Sequence, residues 1–477
     1  MLLDIVNLKK SFGTRTVVSL RKLALYHGDK VAVVGRNGAG KTTLLKLIMG
    51  DEEPDEGRIS LRGSAGFIAQ FGDPKDASAH SGGEKTAARI AEAFLNMPDL
   101  LLADEPTTNL DIESITSLEA QLCAFDGALL LVSHDRVLLE NVCTKVLEIE
   151  DGNCKLFSCG YADYTTQKQL EQVTQEARYE AYAAERSRLK QLADEKARQS
   201  AGIKKPPRRM GNSEARLHSK MGGQKQKAKL DRAAKAARSR MQQLEKVDKP
   251  WRGKDIAFDL HASAIHNPVL VSVSGLNKTY GSMSVLENCR FHIPNGQKTA
   301  LIGPNGAGKT TLLEMIEARV TGVEACARLK TGYFKQDLSA VDPQLSVLQN
   351  VMAEAAYDEC FVRTILARLL FRRDELHHKA ATLSGGERLK LALAKIILSD
   401  FNLLVLDEPT NFLDTQSRSA LEDVLTAYPG AVLFVSHDRA FIEAVADRIV
   451  FIRDRTTHTF EGDWDAYRQS HMFAVGG

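Results

Sequence analysis

Cysteine is sparse and unpaired in this chain. Seven cysteines are spread over 477 residues, at positions 123, 143, 154, 159, 289, 326 and 360. None forms a Cys-x-x-Cys pair, which argues against zinc and dithiol motifs and fits a reducing compartment. Long apolar runs are missing as well. No stretch approaches the roughly 18–20 residues that a membrane-spanning helix needs. Met1-Leu-Leu-Asp-Ile-Val-Asn-Leu enters a strand-like pattern directly, with no basic leader and no cleavage site. A cytoplasmic chain without a membrane partner is therefore expected.

Net charge is also nearly absent, at +2, but it is unevenly placed. Between Thr165 and Pro250 there are 22 Lys+Arg against 10 Asp+Glu, and the remainder of the chain is acidic. Segregation of this kind marks an element that binds a polyanion. A merely solvated helical face is the alternative.

What the chain does contain, it contains twice. Gly35-Arg-Asn37-Gly38-Ala-Gly40-Lys41-Thr42-Thr43 is matched by Gly303-Pro-Asn305-Gly306-Ala-Gly308-Lys309-Thr310-Thr311. Ser81-Gly82-Gly83-Glu84 is matched by Ser384-Gly385-Gly386-Glu387, and Asp104-Glu105-Pro by Asp407-Glu408-Pro. Ser133-His134-Asp135 is matched by Ser436-His437-Asp438. One such Gly-rich loop says only that a nucleotide binds, whereas two full sets in one order imply two ATPase lobes in tandem.

Each Gly-rich loop follows a short apolar run, Lys30–Val34 or Lys298–Ile302, and precedes a helical pattern, Thr43–Met49 or Thr311–Ile316. Leu100–Ala103, Leu403–Leu406, Ala128–Val132 and Ala431–Val435 read as buried parallel strands, so the fold class is α/β. Ten residues separate Gln70 from Ser81, but 47 separate Gln336 from Ser384. The second lobe thus has room for a helical subdomain, with a helix over Phe361–Phe371, that the first lobe lacks.

The basic connector reads as a helical hairpin. Leu170, Val173, Ala177, Ala181 and Ala184 recur at helical spacing on the way out. Leu230, Ala234, Ala237, Met241 and Leu244 form a coiled-coil seam on the way back. Pro206, Pro207, Gly211, Gly222 and Gly223 break helix at the tip, between about Gln199 and Gly223. Lys204, Lys205, Arg208, Arg209, Arg216 and Lys220 are the candidate RNA-binding residues there.

The chemistry follows from the repeated motifs. Backbone N–H groups of each Gly-rich loop and helix N-terminus surround phosphates, and Lys41 and Lys309 add a cation. The hydroxyls of Thr42 and Thr310, with Asp104 and Asp407 at strand ends, are expected to hold Mg2+. Glu105 and Glu408 are candidate general bases for the attacking water. A helix-capping acidic pair is the alternative reading. His134 and His437 follow buried strands, where they can meet the γ-phosphate or the water. Gln70 and Gln336 can sense the metal and the water, while Phe12 and Tyr280 are candidates to stack on adenine or to serve as core. Ser81–Glu84 and Ser384–Glu387 each open a helix and act on nucleotide held by the other lobe. Site one therefore joins Lys41, Thr42, Gln70, Asp104, Glu105 and His134 to Ser384–Glu387. Site two joins Lys309, Thr310, Gln336, Asp407, Glu408 and His437 to Ser81–Glu84.

Together these motifs resemble the ATP-binding cassette superfamily. The fused lobes, the Glu in the Ser-Gly-Gly-Glu signature and the Asp-Glu-Pro-Thr…Leu-Asp runs narrow the resemblance to the ABC-F class. Leu100–Asp111, Arg363-Thr-Ile-Leu-Ala-Arg368 and Asp407–Asp414 look like the antibiotic-resistance ribosomal protection proteins of the Vga and Msr groups. His80 departs from the Leu usual before Ser-Gly-Gly. The resemblance implies a first cassette over 1–164 without an arm insertion, a linker over 165–264 and a second cassette over 265–477. It further implies an ATPase that uses ATP and Mg2+ and is a monomer whose lobes dimerise within the chain. The implied partner is the ribosome, entered at the exit site, with rRNA and P-site tRNA in contact. The implied role is displacement of antibiotics from the peptidyl-transferase region. A housekeeping translation factor and a transporter energiser are the alternatives. The missing arm and long linker favour the first over the former, and the basic hairpin argues against the latter.

Overall fold

The computed structural model describes residues 1–36, 38–69, 82–95, 97–203, 223–244, 246, 265–335, 340–411 and 413–472. Its contacts divide the chain into two units, one of Met1–Ala162 with Asp255–Gly477, the other of Asp163–Lys254.

Within the first unit both halves of the chain share one plan. A central strand, Lys30–Val34 or Lys298–Ile302, runs parallel to a neighbour on each side. The neighbours are Ala128–Val132 and Lys145–Glu150 in the first half, and Ala431–Val435 and Arg448–Arg453 in the second. Leu100–Asp104 and Leu403–Asp407 extend the sheets in parallel. Every residue of these two strands and of Ala128–Val132 and Ala431–Val435 is buried. Unbroken apolar runs are what parallel strands covered on both faces require. The α/β reading is thus correct, and the C-terminal strand ends carry the motifs, where ligands of such sheets bind.

The helices after the two loops span Lys41–Met49 and Lys309–Glu317, starting two residues before the expected positions. They start early because Gly40 and Gly308 serve as N-caps in the left-handed region, with φ of 106° and 93°. A Cβ on Gly40 would lie 2.6 Å from Val17 Cγ1, and one on Gly308 2.7 Å from Val285 Cγ1. Only glycine permits both the turn and that close approach.

The second half does insert helices where the longer gap left room, at Val347–Met352 and Glu359–Arg368. The latter was expected over 361–371. It starts earlier because Asp358 accepts from the Phe361 N–H at 2.8 Å, and it ends earlier because Leu370 turns to φ 70°. The insert packs Val362, Ile365 and Leu366 into an apolar cluster with Leu391, Leu393 and Phe434.

The second unit contains most of the helix Tyr161–Gly202 and the helix Gly223–Gln243. Leu189, Ala193, Ser200, Ala234 and Ala237 are buried there, and Ser200 donates to Asp231 at 2.5 Å. The returning seam is as read from the spacing. The outgoing one is not: Leu170, Val173, Ala177, Ala181 and Ala184 are exposed. The packed stripe instead runs through Leu189 and Ala193. The 21-residue return helix rises only ~30 Å, about half the length of its 42-residue partner, so it can cover only the distal part. Lys204, Lys205, Arg208, Arg209, Arg216 and Lys220 lie outside the described residues. Among the described residues, no helix is long and apolar enough to cross a membrane.

Candidate functional site

The strand ends of both halves open on one cavity of about 1170 Å³ within the first unit. Lys41, Thr42 and Thr43 line it from the first half, Lys309, Thr310 and Thr311 from the second. Gly38, Gly40, Gly306 and Gly308 contribute backbone to its wall. Each lysine is held over its own loop. Lys41 Nζ donates to the Gly35 carbonyl at 2.7 Å, and Lys309 Nζ to the Gly303 carbonyl at 2.8 Å. Burial lowers the pKa of both, while nearby carboxylates, first Glu105 and Glu408, oppose the shift.

Asp104 and Asp407 end their strands beside those loops. Each accepts a hydrogen bond from a hydroxyl in the first turn of the following helix, Thr42 for Asp104 and Thr310 for Asp407. Burial raises both carboxyls nonetheless. A hydroxyl and a carboxylate held together, with oxygen donors only, match a small hard cation.

Glu105 and Glu408 adopt φ of 49° and 48°, a region that side-chain-bearing residues rarely enter. Their N–H groups donate to Val132 O and Val435 O at 2.9 and 3.0 Å, so the turn is pinned to the adjacent strand. Such strain, of order 1–3 kcal/mol, persists where the surroundings over-determine it, and it concentrates at functional sites. Each Oε1 is buried with no hydrogen-bond partner among the described residues. The histidine Nε2 atoms stand 3.4 Å (His134 to Glu105) and 3.2 Å (His437 to Glu408) away. Burial pushes both glutamates up to about 7. It also pushes His134 well down and His437 to about 3, so both imidazoles are neutral.

Phe12 and Tyr280 line the same cavity and are 53% and 54% exposed, so neither is a core residue. Ser384 and Gly386 also line it. Ser384 caps the helix Gly385–Ile397 in a capping box: Glu387 N–H donates to Ser384 Oγ, and Ser384 N–H to the Glu387 carboxylate. Glu387 is thus engaged in the cap itself. Asn37, Gln70, Ser81 and Gln336 lie outside the described residues, as do the side chains at 82–84.

The cavity has interlobe walls that the motif reading missed. Asn305 N–H donates to Asp111 at 3.0 Å and Asn305 Nδ2 to the Asn109 carbonyl at 2.6 Å, joining the second Gly-rich loop to the first half. Arg136 meets Glu422 at 3.3 Å and Ser419 at 2.6 Å. Arg439 meets Glu119 at 2.7 Å and Asp135 at 3.3 Å. The repeated Ser-His-Asp-Arg was the available signal, since an arginine at equivalent places in both halves suits a symmetric contact.

Residues 21–70 and 286–411 match the family described as ABC transporter. Erythromycin resistance ATP-binding protein MsrA of Staphylococcus epidermidis is 34% identical, over 90% of this chain and 93% of that protein. Ribosome protection protein VmlR of Bacillus subtilis is 30% identical, over 93% and 85%. The solved structure of an RNase-L Inhibitor has the same fold, with a TM-score of 0.65 at 19% identity over 98% of this chain and 93% of that one. With motif residues of both halves on one cavity and near full-length likeness to such relatives, this chain belongs to the ABC-F family and is an ATPase.

Proposed function

We propose that this chain is an ATP-dependent ribosomal protection protein. It binds the ribosome at the exit site, with rRNA and P-site tRNA as partners, and its linker displaces antibiotics from the peptidyl-transferase region. The observation that carries this reading is the basic connector between the two halves, with 22 Lys+Arg against 10 Asp+Glu. A pair of ATPase lobes has no need of such an element for hydrolysis, whereas a phosphate-rich partner does. Support also comes from the names of two relatives, one an erythromycin resistance protein and the other a ribosome protection protein.

In this reading the chain is a cytoplasmic monomer with cassettes over 1–164 and 265–477 and a linker over 165–264. ATP is held by the Gly-rich loops with Lys41 and Lys309, and by Phe12 and Tyr280 at adenine. Mg2+ is held by Thr42 with Asp104 and by Thr310 with Asp407, where it supplies charge neutralisation at the phosphates. Glu105 and Glu408 accept the proton of the attacking water, and His134 and His437 orient it. Ser384–Glu387 closes on site one and Ser81–Glu84 on site two.

The test is drug susceptibility of a sensitive host with and without the gene, using lincosamides, pleuromutilins, streptogramin A and erythromycin. Expression should raise resistance to at least one class. Deleting Pro206–Met221 should abolish that gain while purified protein keeps its basal ATPase. A wild-type gene that leaves every susceptibility unchanged contradicts the proposal and turns attention to a housekeeping role in translation.

A further inference from the structure

The two sites share their motifs but not their neighbours. After Asp-Glu-Pro-Thr each half runs Leu-Asp and then a helix, Ile112–Ala124 or Thr415–Ala427. The first turns differ. Thr415 and Arg418 in the second half stand where the first half has Ile112 and Ile115.

That difference is read across the lobe interface. Thr415 Oγ1 lies 3.3 Å from His134 Nδ1. The Tyr161 phenol shares a hydrogen bond with the same threonine. Arg418 Nη1 donates to the His134 carbonyl at 3.2 Å, and it is held by Asp438 at 2.8 Å. Arg136 donates to the Thr415 carbonyl at 3.2 Å, which fixes the turn that presents the hydroxyl. At the other site Ile112 packs against the second half's apolar cluster. His437 Nδ1 is buried with no hydrogen-bond partner among the described residues.

A neutral imidazole has one donor and one acceptor nitrogen, and the partner of one nitrogen decides the role of the other. Tyr161, Thr415 and His134 Nδ1 thus form one hydrogen-bonded chain at site one, and His134 Nε2 at its far end faces Glu105. At site two no comparable hydroxyl holds the ring among the described residues. His437 keeps the same approach to Glu408, at 3.2 Å, but its Nδ1 meets no hydrogen-bond partner among the described residues.

We infer that Thr415 and Arg418 are positioning residues that the second half lends to His134 and Glu105, so that site one hydrolyses ATP faster than site two. This rests on Glu105 and Glu408 as the bases of the two sites. In the step concerned, a water oxygen bonds the γ-phosphorus as its proton passes to the glutamate. The bond from that phosphorus to the β–γ bridging oxygen breaks, and its electron pair leaves with ADP. Thr415 touches none of these atoms. It holds the imidazole that stands beside the base, and small losses of orientation there are costly.

The experiment is first-turnover hydrolysis of radiolabelled ATP at saturation, on the full chain. Glu408→Gln leaves site one to be read, and Glu105→Gln leaves site two. Added to Glu408→Gln, Thr415→Ile should slow the turnover about tenfold with ATP affinity within twofold. Thr415→Ser, which keeps the hydroxyl, should restore the rate to within about twofold. Added to Glu105→Gln, Thr415→Ile should cost several times less. Equal losses in both backgrounds, or no rescue by serine, overturn the inference and leave Thr415 as interface packing. If each single glutamine variant retains full turnover at both sites, the base assignment itself fails and this inference with it.

Discussion

Site one and site two are close copies in backbone and unequal in what the opposite half offers them. The glutamates differ in φ by one degree, and the lysines reach the same carbonyl of their loops. Yet Arg418 is the largest charge opposing burial at Glu105, while at Glu408 that place is taken by Lys309 of its own loop. The two halves thus keep the same Gly-rich loops and Asp-Glu turns and differ in the helix after each Leu-Asp. Parts facing a shared ligand are constrained by its geometry. A first helical turn at an interlobe seam is constrained only by what it packs against.

The interface arginines sharpen the same comparison, and they carry the largest expected effect on stability. Arg439 is 7% exposed and pairs with Asp135 and Glu119, at 6% and 16%. Its counterpart Arg136 is 27% exposed. Arg439→Ala leaves buried carboxylates unpaired and should cost about 3 kcal/mol in denaturant unfolding. Arg136→Ala should cost about 1 kcal/mol. Equal losses would mean that the seam is as symmetric in energy as in sequence.

Much of this was legible in the sequence, and the failures have physical causes. The buried strands were readable because fully covered parallel strands are continuous apolar runs, as in Leu403–Asp407. The motif residues that line the cavity were readable because the repeated motifs set fixed residue types at fixed spacing. The left-handed turn at Glu105 and Glu408 was not, since no glycine or asparagine marks it. The outgoing hairpin stripe was misplaced because Leu170 and Leu189 both sit on helical periods. Which one is packed depends on how far the return helix reaches. Thr415 and Arg418 were passed over because their partners lie in the other half, about 280 residues away in sequence.

A smaller effect concerns pH. Burial raises Glu105 and Glu408 from 4.5 to about 7 in the folded chain, while the unfolded chain keeps the ordinary value. The unfolded state therefore ionises first as pH rises. Each glutamate lowers stability progressively between about 4.5 and 7, by up to ~1.4 kcal/mol per pH unit, and adds nothing further above that. Nucleotide-free Glu105→Gln should gain stability over wild type as pH is raised from 5 to 8, by about 1–3 kcal/mol at the upper end. Urea unfolding at the two pH values checks this. A constant difference between variant and wild type would mean that Glu105 is solvated, and the case for a desolvated base at site one would fall with it.

The most direct test is phosphate release in the first turnover by wild type, Glu105→Gln, Glu408→Gln and the double variant, with bound ATP measured alongside. All four should bind ATP. The double variant should fall at least about a hundredfold below wild type, because both bases are gone. Between the single variants, Glu408→Gln should be the faster, since it keeps the site braced by Thr415 and Arg418. Equal single-variant rates would contradict the inequality of the sites, and turnover at the wild-type rate in the double variant would contradict the assignment of the glutamates.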